Sequence, residues 1–251
     1  MSAETVNRFT SWFGSPYYHM LYNKRDNEEA GQLLNKIIGL IKPAPGAKML
    51  NVNCGNGADS KILASFGFDV TGIDLIQENI EQAKQLENEG LHFFTHDMRL
   101  PFWINYFDLA VNLFTRFGFF HTERENGNAL RTMANSVKPG CNIVIDYLNT
   151  HYAEDNLQPR SEEMIGRVNF QITKWFDETH FYRKIIVEDE SRDEPLEFRE
   201  KIAKFSLGDF NEMLALHHIQ VNEVFGDYQL NPYHLHKSPR LLILGSKRIP
   251  Q

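Results

Sequence analysis

Residues 48–57 read Lys48-Met49-Leu50-Asn51-Val52-Asn53-Cys54-Gly55-Asn56-Gly57, a short apolar run that breaks into a glycine turn. In residues 59–66, Ile62, Leu63 and Phe66 recur at helical spacing, so the turn joins a strand to a helix. Gly67 stops that helix, and Asp69–Asp74 resumes as a strand carrying Val70 and Ile73. The same alternation continues outward. Residues 77–89 form a charged helix with Ile80, Ala83 and Leu86 on one face, followed by strands over 91–95, 107–113 and 142–148. A helix over 123–137 lies between the last two and is closed by Lys138-Pro139-Gly140. Repeated strand–helix units of this kind predict a parallel sheet with helices on both faces and right-handed crossovers. Ligands of such sheets bind beyond the carboxyl ends of the strands. The residues able to do chemistry sit at those ends: Asn51 to Gly57, Asp74, Asp97 and Asn112.

After Leu148 the pattern changes. Residues 168–176, 181–189 and 196–205 read as three strands joined by short polar turns, an antiparallel insertion within 152–205. A helix over 207–216 and strands over 220–225 and 241–245 then complete a single domain spanning 1–251. The insertion carries Phe170, Trp175, Phe176, Phe181 and Tyr182, enough aromatic surface to line an acceptor pocket or to form a homodimer interface. The aromatic segment 12–22 (WFGSPYYHMLY) reads either as a helix packed on the domain or as a wall of the site.

Composition bounds the partners. Hydrophobic residues make up 42% and charged residues 24% of 251, which excludes disordered and collagenous chains. Twenty-six basic against 33 acidic residues give a net charge of −7, so no nucleic-acid partner is expected. Residues 1–13 hold no apolar core of signal length, and no apolar run is long enough to cross a bilayer. With only Cys54 and Cys141, the expectation is a reduced, cytoplasmic protein without a membrane partner. The histidines, including His217-His218 and His234-x-His236, lack matched partners, and no metal is assigned.

The glycine turn lets a ligand approach bare backbone at a positive helix end. As a dinucleotide fingerprint it is incomplete, because Ser60 stands where the third glycine belongs. Asp74 strengthens it: an acid ending the second strand about 20 residues beyond such a turn can accept from both ribose hydroxyls. Asp97 could accept from an adenine amino group while Met98 packs on the ring. Residues 112–120 (NLFTRFGFF) are either core or the floor and wall of the pocket.

With those stretches in place, the chain resembles a class I S-adenosylmethionine-dependent methyltransferase of the bacterial small-molecule type over nearly its whole length. The likeness lies in residues 49–57, 70–75, 95–101, 107–120, 138–149 and the tail Ser238-Pro239-Arg240-Leu241-Leu242. It implies a Rossmann-like, seven-stranded, mostly parallel sheet with an antiparallel last strand, S-adenosylmethionine as cofactor and methyl transfer to a small-molecule acceptor. It also implies that Asn51, Asn53, Cys54, Gly55 and Gly57 lie under the methionine portion. Asp74 with Leu75 would hold the ribose, Asp97 with Met98 the adenine, and Asn112 with Leu113 would lie near the reactive methyl. The family's strand order further implies that Cys54 and Cys141 stay unbridged.

Two positions depart from the pattern: the family usually has an acid at 51 and a glycine at 53, and here both are asparagine. Asparagine tolerates left-handed backbone angles, but its side chain stands where the ligand should approach. The alternative is therefore a non-catalytic protein that binds S-adenosylmethionine or S-adenosylhomocysteine through a degenerate loop. A nicotinamide-dependent oxidoreductase would share Asp74 but needs the missing glycine. Candidate bases or orienting groups near the open face are His121, Tyr147 and His151, each with a structural alternative; Tyr17, Tyr18 and Tyr22 are candidate wall residues.

Overall fold

The computed structural model describes residues 11–249. Helix α1 (Pro16–Ile41) is 26 residues long; Ser15 caps it by accepting from the Tyr18 N–H, and a proline opens its first turn. The alternation then runs β1 (Lys48–Val52), α2 (Ala58–Ser65), β2 (Asp69–Asp74), α3 (Gln77–Ala83), β3 (Leu91–Thr95), β4 (Phe107–Asn112), α4 (Glu123–Ser136) and β5 (Val137–Leu148). Helix α5 (Thr150–Asp155) leads into β6 (Arg160–Ile165), β7 (Val168–Phe176), β8 (His180–Asp189) and β9 (Leu196–Ala203). Helix α6 (Leu207–Ala215), β10 (Ile219–Phe225) and β11 (Arg240–Lys247) follow.

Seven strands form the larger sheet in the order β10-β11-β5-β4-β1-β2-β3. The strands from β1 to β5 pair in parallel, and β11 runs antiparallel between β5 and β10. This is the predicted Rossmann-like arrangement, antiparallel last strand included. β1 lies mid-sheet, covered on both faces, and its side chains alternate between the two layers. Met49 packs in the core with α1 residues Leu33, Leu34 and Ile37; Leu50 and Val52 pack in the core with α4 residues Ala129, Leu130 and Met133. Each fully buried Leu or Met contributes about 1.5–3 kcal/mol, so this strand and its following turn are held rigidly. Cys54 and Cys141 are free, and β4 separates β1 from β5.

The insertion differs from its sequence reading. It is a four-stranded antiparallel sheet, β6-β7-β8-β9, preceded by α5. The edge strand β6 (RSEEMI) escapes the apolar pattern because it carries charge and alternates exposed and half-buried positions. One face of this sheet packs Val168, Phe170, Ile172, Ile185 and Val187 against Trp12 and Leu21, so the N-terminal aromatic segment and the insertion share a core. The sheet is tied to the larger one where the Ala203 N–H donates to the Gly118 carbonyl at 2.8 Å and the Tyr147 hydroxyl donates to the Ala203 carbonyl. Two further boundaries are corrected. The helix expected over 77–89 ends at Ala83 and tightens into a 3-10 turn, and β5 begins at Val137, its early register irregular around Phe107 and Leu109 of β4. Among the described residues no helix is long and apolar enough to cross a membrane. Residues 1–10 of the N-terminal stretch read for a signal lie outside the described residues.

Candidate active site

A cavity of about 600 Å³ opens beyond the carboxyl ends of β1, β2 and β4. Its floor is Asn53, Gly55, Asp74, Leu75, Phe114 and Arg116; α1 contributes Tyr18 and Tyr22, and the small sheet contributes Phe181, Tyr182 and Ile202.

The β1 turn reaches the cavity through left-handed backbone at Asn53 (φ 56°), Gly55 (φ 58°) and Gly57 (φ 84°). Asparagine is among the few side-chain residues that sit there readily, which accounts for Asn53 where the resemblance implied a glycine. Gly57 is required for a different reason than ligand approach: a Cβ there would lie 2.6 Å from the Phe93 ring, so it serves helix–strand packing. Asp74, the last residue of β2, is buried and accepts from the Gly55 N–H at 2.8 Å and the Ile76 N–H at 2.9 Å, one on each oxygen. A carboxylate accepts about four hydrogen bonds, so capacity is left for a ligand. Burial raises its carboxyl above the ordinary aspartate value, against the pull of those two donors and Arg116.

The turn after β4 is over-determined. Phe114 (φ 58°) and Thr115 (φ 55°) are consecutive left-handed residues, a conformation that costs about 1–3 kcal/mol at each non-glycine position. Asp146 holds both: its side chain accepts from the Phe114 N–H at 2.7 Å and its carbonyl from the Thr115 N–H at 3.1 Å. Arg240 clamps Asp146 at 2.8 and 2.9 Å and donates to the Thr115 hydroxyl at 2.6 Å, and the Tyr228 hydroxyl donates to Asp146 at 2.9 Å. Burial and the Asp146 charge push the Tyr228 phenol far up. The turn so held delivers Arg116, whose Nη1 donates to Asp59 at 2.9 Å and to the Asn53 carbonyl at 3.0 Å. Burial works against the Arg116 charge, but Asp59 and Asp74 outweigh it and raise its pKa.

Of the residues singled out from sequence, Asn53, Gly55, Asp74 and Leu75 meet in the cavity wall. Asn51 sits behind it, fully buried, its Nδ2 donating to the Ser60 hydroxyl at 2.9 Å. Cys54 is buried, and burial followed by Asp74 pushes its thiol well up. Asn112 donates to the Val52 carbonyl at 3.0 Å and Leu113 is core, so both brace the strand ends from inside. Asp97 and Met98 do not line the cavity. Both Asp97 oxygens are taken by the Arg99 guanidinium, at 2.6 Å in the shortest contact, Arg99 also pairs with Glu125 at 2.6 Å, and Met98 is buried in the core.

The orienting candidates are corrected too. Tyr147 is core, its hydroxyl spent on Ala203, and neither His121 nor His151 lines the cavity. Tyr17 faces the small sheet and donates to Asp189 at 2.7 Å. Sequence reasoning missed Arg116, Asp146, Arg240 and Tyr228. Their partners are 32 to 125 residues away, and the only local signal was a lone arginine within an aromatic run.

Residues 50–145 match the family model described as a methyltransferase domain. Over that central stretch the chain is similar to known methyltransferase domains. Glycine N-methyltransferase of Rattus norvegicus is 29% identical over 133 residues, 46% of this chain; the match spans 45% of that relative, about half its length. Among solved structures, an S-adenosylmethionine-dependent methyltransferase from Clostridium acetobutylicum superposes with a TM-score of 0.79 at 13% identity, covering 93% of this chain and 96% of that one. An amino pentose methyltransferase from Micromonospora echinaspora, solved with S-adenosylmethionine bound, gives 0.70 at 20% identity, with 93% and 97% covered. At these identities the likeness is one of fold, and with 93% of this chain covered it takes in the antiparallel insertion as well as the central sheet.

Proposed function

We propose that this chain transfers a methyl group from S-adenosylmethionine to a small-molecule acceptor. The observation that carries the reading is Asp74, an acid with spare lone pairs at the end of β2, in the wall of a cavity that also exposes bare Gly55 backbone. The cavity wall offers groups of both signs to a ligand that itself carries both: Glu29, Asp74 and Glu200 stand beside Arg116, Lys174, Arg183 and Arg240, and S-adenosylmethionine carries an ammonium, a sulfonium and a carboxylate. The cavity volume suits a small acceptor too, since such sites enclose about 300–1,000 Å³.

Bound there, S-adenosylmethionine supplies a methyl group on a positively charged sulfur, ready for in-line transfer. The protein's work is then alignment and exclusion of water. Asp74 accepts from the ribose hydroxyls, and the Asn53–Gly57 loop carries the amino-acid arm. Tyr18, Tyr22, Phe181 and Tyr182 close the cavity from above and form the acceptor side. Residues 152–205 act in this scheme as the acceptor wall of one domain. The asparagines at 51 and 53 do not argue for a lapsed site, because Asn51 lies behind the wall and Asn53 fits its left-handed backbone.

Calorimetric titration with S-adenosylhomocysteine, followed by assay of its formation from S-adenosylmethionine across a panel of small amines and alcohols, tests the proposal. Binding with turnover of at least one acceptor is expected. Binding without turnover of any acceptor would favour the non-catalytic alternative, and absence of binding would sink the assignment.

A further inference from the structure

The guanidinium of Arg116 is half used. Nη1 donates twice, to Asp59 at 2.9 Å and to the Asn53 carbonyl at 3.0 Å, while Nη2 has no hydrogen-bond partner among the described residues. The two Nη1 bonds fix the planar group, so the direction of Nη2 is set before any ligand arrives. The side chain keeps 23% of its surface accessible, whereas that of its partner Asp59 keeps 4%. The open part of the arginine therefore faces the cavity it lines.

What lies before Nη2 is Gly55. A Cβ built on Gly55 would have only that nitrogen within reach, at 4.0 Å, so a side chain there would occupy the space the free donors look into. The same residue donates its N–H to Asp74 at 2.8 Å. Arg116 and Asp74 thus flank one bare glycine, a cation on one side and an acid on the other. A ligand whose ribose met Asp74 would have Gly55 and then Arg116 next along the cavity wall for its amino-acid arm.

We infer that Arg116 is the carboxylate-binding residue of the site, its Nη2 donating to the α-carboxylate at the amino-acid end of S-adenosylmethionine. This rests on the cofactor reading above and adds a residue and a bond to it. Asp59 is then a positioning residue that holds the guanidinium from behind.

The test compares S-adenosylhomocysteine with its decarboxylated form, which differs only in the carboxylate, by calorimetry on the full chain. Hydrogen bonds to charged groups contribute enough for about a ten- to hundredfold preference, so the wild type is expected to favour the carboxylated ligand by that factor. Arg116→Met should reduce the preference to within about threefold by weakening S-adenosylhomocysteine alone. Where Arg116→Met leaves Asp59 buried without a partner and the protein folds poorly, the Asp59→Asn, Arg116→Met pair removes both charges and is read the same way. A variant that keeps the wild-type preference, or weakens both ligands equally, overturns the inference while leaving the cofactor reading intact. A wild type that binds neither ligand overturns the cofactor reading and this inference with it.

Discussion

Asn53 and Arg116 hold each other through two hydrogen bonds: Asn53 Nδ2 donates to the Arg116 carbonyl at 2.7 Å, and Arg116 Nη1 donates to the Asn53 carbonyl at 3.0 Å. This brace joins the turn after β1 to the turn after β4, the two loops that make the cavity floor. It gives the asparagine a task that a glycine could not perform.

Asn53→Gly should therefore not improve the site. Glycine accepts φ 56° without strain, which offsets part of the lost side-chain bond, so the melting temperature should move little. Affinity for S-adenosylhomocysteine should fall by about fivefold, the equivalent of about one neutral hydrogen bond. Calorimetry showing tighter binding would mean that the asparagine obstructs the ligand rather than bracing the loop.

Restoring the acid at position 51 should harm the fold. Asn51 is fully buried, donates to Ser60, and its Oδ1 has no partner. Asn51→Asp replaces the donor to Ser60 with a buried carboxylate at a position whose Oδ1 has no hydrogen-bond partner among the described residues, at a cost of about 2–3 kcal/mol. Urea unfolding should show a lower midpoint with an unchanged slope; equal midpoints would show that the charge finds solvent or a proton.

Much of this architecture is legible in the sequence, and the reasons are local. β2, β3 and β7 occupy the predicted residues because each is an apolar or alternating run bounded by turn-forming or charged residues. Asp74 is legible because its role follows from its place at a strand end. What fails is whatever depends on a distant partner. Asp97 looks available in sequence, yet Arg99 occupies both of its oxygens, and Arg116 becomes notable only once Asp59, 57 residues earlier, lies beside it. The 26-residue length of α1 is hidden because its middle is a charged stretch that breaks the apolar period.

The Asp97–Arg99–Glu125 cluster predicts an acid-sensitive contribution to stability. Burial opposes ionisation of Asp97, but the Arg99 fork outweighs it and holds the carboxyl below its ordinary value. A group lowered in the folded state stabilises fully above its unfolded pKa of about 3.9 and loses that contribution as pH falls through the folded value. Asp97→Asn should thus cost about 1–3 kcal/mol near pH 7, with Glu125 still pairing Arg99, and progressively less below about pH 4. A penalty that does not shrink in acid would mean that shape rather than charge holds the cluster.

Gly118 carries the junction between the two sheets. Its φ is 89°, its carbonyl accepts from the Ala203 N–H at 2.8 Å, and a Cβ there would run into the Tyr147 hydroxyl and lie 3.2 Å from Ile202. Tyr147 is fully buried among Phe117, Phe205 and Phe210 and its hydroxyl holds the Ala203 carbonyl, so it has no room to retreat. Gly118→Ala should then push the end of β9 away from the larger sheet, combining backbone strain with overpacking for a loss of about 2–4 kcal/mol. Ile202, at that end of β9, lines the acceptor side of the cavity, whereas Asp74 and Gly55 lie on the other floor. The variant should lose acceptor turnover, read as a raised KM, at temperatures where it remains folded, and keep S-adenosylhomocysteine affinity within about threefold. Equal loss of both would show that the small sheet and the cofactor floor move as one body.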